Sequence, residues 1–150
     1  METANHEQYC TFMVDEMVLG VNVTKIQEVI RYQEMTRIPL APPAIRGMVN
    51  LRGQIVTAID LRRRLDLPER PKDELPMNVV IRTKDGPISL LVDEIGDVQD
   101  VEAGRFEAPP ETLRGAARSL IEGVFELDSG LMLVLDTEKC VDPDILWGRN

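Results

Sequence analysis

The pattern of short apolar runs in this chain starts over halfway along. Sliding the sequence by 69 residues brings Phe12 onto Ile81, Val21 onto Leu90, Val23 onto Val92, Ile26 onto Ile95, Glu28 onto Asp97 and Val29 onto Val98. A slide of 76 brings Gly47 onto Gly123, Leu51 onto Leu127, Ile55 onto Leu131, Ile59 onto Leu135 and Asp60 onto Asp136. The difference of seven residues fits one insertion around 109–119. The matched Gly and Asp pairs at equal spacing carry more weight than the common apolar matches. They predict two similar units, each a hairpin, a long crossover and a second hairpin whose last strand ends in Asp. About five strands per unit can curl into a small barrel filled by its own side chains.

The local signals agree. Apolar, β-branched runs flank Asp15-Glu16, Arg52-Gly53, Lys84-Asp85-Gly86-Pro87 and Asp128-Ser129-Gly130, which reads as four hairpins. Helical periodicity is brief: Thr24–Val29, Leu61–Leu65 and the end from Thr137 to Leu146. The expected fold is therefore all-β, with two tandem five-stranded barrels, short connecting helices and a short C-terminal helix. A polar, proline-rich stretch over 68–76 is the natural joint. It divides a flexible tail at 1–8 and a first barrel at 9–75 from a second barrel at 76–150, which also carries the C-terminal helix and tail. With 43% hydrophobic residues in 150, such a chain buries roughly 70% of its unfolded surface. No apolar run is long enough to span a bilayer. The polar start reads as no secretory signal, so the expected address is the cytoplasm. Cys10 and Cys140 have no CxxC spacing and read as buried thiols.

Catalytic groups are hard to assemble. The sole histidine, His6, stands in the polar start, which argues against Ser-His-Asp and Cys-His mechanisms. No HExxH, GxSxG, Walker-type or GxGxxG pattern occurs, and one His with two distant Cys make poor metal ligands. Asp60 and Asp136 invite a weak hydrolase reading, but each follows a strand and precedes a helix-like segment whose free N–H groups it can cap. A net charge of −9 repels nucleic acid on average. Arg62, Arg63 and Arg64 form the one basic run, and a nucleic-acid-binding barrel would use it, but three arginines on a short helix also read as a solvated face. With six aromatics and no basic stripe, nucleic-acid binding has little support. The stiff segment Arg37 to Ile45, with three prolines, suits a surface. The residues themselves point to a small β-rich interaction module.

The run Ile45-Arg46-Gly47-Met48-Val49-Asn50-Leu51-Arg52-Gly53-Gln54-Ile55-Val56-Thr57-Ala58-Ile59-Asp60-Leu61-Arg62 resembles the signature stretch of the CheW family, whose pattern reads G-x-x-N-L-R-G-x-I-x-x-x-x-D-L-R. Gly20 to Val29 and Leu91 to Val98 resemble the family's segments after the first hairpin of each half. Thr57 departs from the pattern, many relatives having proline there. The resemblance covers Tyr9 to Val141 and implies two SH3-like barrels, no enzymatic activity and no cofactor or metal. It also implies an adaptor associated with membrane receptor arrays, bridging chemoreceptor cytoplasmic tip helices to the regulatory domain of the histidine kinase CheA. Carried over by position, Val23, Ile26, Glu28, Arg52, Ile88, Leu90 and Val92 would line a receptor-binding groove between the barrels. Phe12, Val14, Val18, Leu19 and Val21 would face the kinase, and Gly47, Asn50 and Gly53 would shape a structural turn.

Overall fold

The computed structural model describes residues 5–146, apart from the side chains of residues 144 and 145. Ten strands dominate: β1 (His6–Val14), β2 (Met17–Asn22), β3 (Ile26–Ile30), β4 (Ile45–Leu51), β5 (Gln54–Asp60), β6 (Met77–Thr83), β7 (Gly86–Val92), β8 (Glu94–Glu102), β9 (Ile121–Leu127) and β10 (Gly130–Leu135). Four short helices accompany them: α1 (Leu61–Arg64), α2 (Gly115–Leu120), α3 (Thr137–Val141) and α4 (Pro143–Leu146). All four expected hairpins form, and α2 occupies the expected insertion. The segment read as helical at Thr24–Val29 differs: one 3-10 turn, Val23–Lys25, leads into strand β3. His6–Gln8 are strand, not tail. The rest of the expected N-terminal tail, 1–4, and the end of the C-terminal tail, 147–150 with Trp147, lie outside the described residues.

The repeat is real at the level of hydrogen bonds. The shift of register between Ile26 and Glu28 against β6 recurs between Ile95 and Val98, where β8 faces Cys10 and Phe12. The Asp60 N–H donates to the Ala44 carbonyl and the Asp136 N–H to the Leu120 carbonyl, both at 2.8 Å. Asp60 and Asp136 then cap α1 and α3, as the sequence suggested, by accepting from the N–H groups of Arg62 and Lys139.

The halves are nonetheless interlaced. Sheet A runs β8-β1-β2-β10-β9 and sheet B runs β3-β6-β7-β5-β4. Each sheet takes the first hairpin of one repeat and the last three strands of the other, so sheets and halves do not coincide at 9–75 and 76–150. The largest buried cluster is shared. Phe12, Val14, Leu19, Val21 and Leu135 of sheet A meet Ile59, Val79, Ile81, Leu90 and Val92 of sheet B. Because neighbours on a strand point to opposite faces, each sheet also backs onto a smaller cluster of its own. These are Tyr9, Val101, Phe125, Met132 and Val134 behind sheet A, and Val49, Ala58 and Leu91 behind sheet B.

Neither sheet closes as a continuous ladder. Each curls until the chain following one edge strand meets the other edge at a single bridge: Thr36 with Met48 in sheet B, and Glu107 with Val124 in sheet A. The matched glycines stand beside these bridges and need to be small. A Cβ on Gly47 would lie 2.6 Å from the Thr36 carbonyl oxygen, and one on Gly123 would lie inside the Phe106 ring, 2.0 Å from its Cζ. Gly47 thus belongs to a bulge within β4, not to a turn.

Candidate functional site

The residues expected to grip a partner helix divide by burial. Following cross-strand partners through sheet B, Ile26 on β3 stands opposite Ile81 on β6, which stands opposite Ile88 on β7, which stands opposite Thr57 on β5. Cross-strand partners share a face. Ile81 is wholly buried in the shared core, whereas Ile26 and Ile88 pack against that core and keep part of their surface in solvent. They mark its margin. Val23, in the 3-10 turn just before β3, is also half-buried.

Leu90 and Val92 do not reach that margin. Both are fully buried among the core residues, and their strand, β7, lies in the same sheet as β3 instead of across a cleft from it. Ile88, Leu90 and Val92 share one face of β7, and the shared core covers the last two and leaves Ile88 at its margin, a consequence of packing that sequence position could not reveal. Met17 and Ile95, which were not singled out, join Ile26 and Ile88 as half-buried apolar residues packed on the shared core. The 69-residue offset already equated Ile95 with Ile26.

Charge enters at the β4–β5 turn. Arg52 and Gly53 both have positive φ, +51° and +85°, the backbone of a tight two-residue hairpin turn. Asn50 stabilises it by accepting from the Gly53 N–H at 2.9 Å. The turn projects Arg52 across to β3, where its Nη1 donates to Glu28 Oε2 at 2.7 Å. Arg52 is 77% exposed, while the Glu28 side chain is only 18% exposed. The hydrogen bond from Arg52 holds the Glu28 carboxyl below its ordinary pKa, and the same bond raises that of Arg52. The pair pins the two edge strands of sheet B together and leaves a guanidinium facing solvent.

The residues expected to face a kinase meet a similar division. Phe12, Val14, Leu19 and Val21 are core, and β1 and β2 are flanked by strands on both sides. Val18 alone of that set is accessible.

Of the basic run, Arg63 is exposed, as a solvated face requires, whereas Arg62 and Arg64 are held by protein partners. Arg62, 10% exposed, forks onto Asp93 with bonds of 2.7 to 3.2 Å. Arg70, from the proline-rich joint, reaches the same carboxylate at 2.8 Å. The Asp15 N–H adds a bond of 2.6 Å. Burial pushes the Asp93 carboxyl up, but the bonds from Arg62, the Asp15 N–H and Arg70 outweigh it and leave the carboxyl below its ordinary value. Arg64 donates to the carbonyls of Lys139 and Cys140 at the end of α3, both at 2.9 Å, and Arg63 stands 3.7 Å from Glu69. Asp60, one of the two aspartates of the hydrolase reading, is buried between Arg46 and Arg70. These arrangements lock elements together. The Cys140 thiol, pushed up to about 12 by burial, is poorly suited to act as a nucleophile.

Comparison with known proteins bears on the whole chain. The model of the CheW-like domain matches residues 8–143. The chemotaxis protein CheW of Bacillus subtilis is 30% identical over 143 residues, covering 95% of this chain and 92% of that protein. The CheW of Treponema pallidum is 28% identical, covering 90% and 83%. Among solved structures, the scaffolding protein TtCheW of Thermoanaerobacter tengcongensis superposes with a TM-score of 0.79 at 25% identity, covering 88% of this chain and 90% of that one. With the motif around Arg52, the duplicated strand order and this coverage in agreement, the chain belongs to the CheW-like domain family.

Proposed function

We propose that this chain is a non-catalytic adaptor that couples chemoreceptor cytoplasmic tips to the histidine kinase CheA. Support for a chemotaxis scaffold comes from its family and from relatives named as chemotaxis and scaffolding proteins. The observation that carries the finer reading is the Glu28–Arg52 pair standing on sheet B with the half-buried Ile26 and Ile88. An amphipathic receptor helix can lay its apolar stripe on Val23, Ile26 and Ile88, while Arg52 at the rim sets register with a helix carboxylate. In this reading the kinase takes a separate surface that includes Val18. The joint array acts through geometry and avidity, with no bond made or broken in the adaptor.

The test is co-sedimentation of receptor fragment and CheA with this protein and its variants. Ile26→Asp places a charge in the helix contact and should lower receptor binding about tenfold or more. Arg52→Ala should reduce receptor-dependent kinase stimulation with the circular dichroism spectrum unchanged. Full receptor binding by the first variant, together with full stimulation by the second, would remove the core margin as the receptor site.

A further inference from the structure

The internal repeat allows each position of one sheet to be compared with its mate in the other. In sheet B the edges are pinned where Arg52 in the β4–β5 turn meets Glu28 on β3. The 76-residue offset takes Arg52 to Asp128 in the β9–β10 turn, and the 69-residue offset takes Glu28 to Asp97 on β8. Register supports both matches: Leu51 faces Gln54 as Leu127 faces Gly130, and the bulge beside Glu28 recurs between Ile95 and Val98, around Asp97. Where sheet B carries a cation and a carboxylate, sheet A carries two carboxylates. They cannot form the pin, and like charges so placed repel.

Sheet A has a cleft at this point. Asp97 and Asp128 line a space of about 580 Å³ together with Gln99 and Glu126, over Val101, Phe125 and Leu127. Arg105 and His6 line the same space and are each engaged by a carboxylate, Arg105 standing 3.3 Å from Glu102 and His6 3.1 Å from Asp100. Among the described residues, Asp97, Glu126 and Asp128 have no cationic partner. β8 and β9 are the edges of sheet A, and the Glu107–Val124 bridge joins the chain beyond β8 to β9. Apart from that bridge each edge strand pairs on one side only, and such edges can accept another strand.

We propose that this cleft docks an extended basic segment of a partner protein. An arginine or lysine of that segment lies between Asp97 and Asp128, supplying in trans the charge that Arg52 supplies within sheet B. An apolar neighbour covers Leu127 and the edge of Phe125, and main-chain bonds to the free edge of β8 fix the direction. The site is on the sheet opposite the Arg52 turn, so the proposal stands independently of the receptor reading. Because the carboxylates at the rim are exposed, association is steered by charge and weakens with salt.

The experiment titrates the full chain, labelled with nitrogen-15, with a synthetic peptide alternating arginine and valine, following amide shifts. Shifts should concentrate at 97–101 and 125–129. Asp128→Arg rebuilds the missing pin with Asp97 and should weaken the peptide about tenfold or more. Glu111→Arg makes the same change of net charge on an exposed loop outside the cleft, and should bind the peptide within about twofold of the unaltered chain. Equal weakening in both variants would mean that the peptide answers only to the net charge of −9, and would overturn the proposal. Shifts centred on Glu28, or no saturable shifts, would overturn it as well.

Discussion

Asp93 shows what a single residue does in this fold. It closes β7, its own N–H donates to the Met13 carbonyl at 2.9 Å, and its carboxylate collects Arg62 from α1 and Arg70 from the joint. One carboxylate thus ties a sheet A hairpin, the helix after β5 and the segment between the repeats. Replacing it with alanine leaves two arginines, 10% and 6% exposed, with Asp60 as the remaining carboxylate beside Arg70. Such a loss costs about 3 kcal/mol or more, so Asp93→Ala should lower the denaturation midpoint sharply while retaining β-type circular dichroism. The pH dependence carries its own sign. The folded carboxyl lies below its ordinary value, so its contribution is fully present above the unfolded pKa, near 4, and is lost as pH falls through the lower folded one. Acid unfolding of Asp93→Ala should therefore lack part of the stability loss seen below about pH 4 in the unaltered chain; identical pH profiles would dismiss Asp93 as a contributor. None of this was legible locally. The capping roles of Asp60 and Asp136 could be read because strand, Asp and helix are consecutive. Arg62 looked like a solvated residue because its partner lies 31 positions away.

At the scale of elements, the hairpins were legible because turn residues and alternating apolar positions coincide. β3 and β8 were not. Ile26 to Ile30 is half-buried along its whole length, and β8 is largely exposed, as suits sheet edges, so neither shows the alternation of a strand with one face in the core. What places these edges is the bridge beyond each, and the bridges give a graded prediction about their glycines. At Gly47 an added Cβ meets main chain, the Thr36 carbonyl carbon and oxygen at 3.1 and 2.6 Å, which cannot move without breaking the bridge. At Gly123 the Cβ meets the ring of Phe106, which is 43% exposed and free to swing outward. Its departure gives up the tilted contact with Phe125 at 5.3 Å between ring centroids. Gly47→Ala should therefore cost about 3 kcal/mol and Gly123→Ala about 1 kcal/mol. Chemical denaturation orders the two, and the reverse ranking would show that the bridge in sheet B is not what holds its edges.

For the whole molecule, duplication was legible and pairing was not, for a physical reason. Exchanging the first hairpins between two similar units leaves every turn, alternation and cap unchanged, because each hairpin finds an equivalent surface in the other unit. The sequence is equally compatible with two separate barrels and with the interlaced pair; only the strand orders β8-β1-β2-β10-β9 and β3-β6-β7-β5-β4 distinguish them. The consequence can be tested by cutting the chain. A protease site introduced at 72–74, in the exposed stretch following Arg70, separates the repeats covalently. Two self-contained barrels would then travel apart. Here β1 and β2 are bonded to β8 and β10, and β6 and β7 to β3 and β5, and the shared core draws on both pieces, each buried Leu or Ile contributing roughly 2 kcal/mol. The cleaved protein should elute as a single species at the size of the intact chain, melt in one transition, and yield its two fragments only in denaturant. Fragments that part under native conditions, each keeping its own melting transition, would return the molecule to two independent barrels and remove the shared core on which the proposed receptor surface is built.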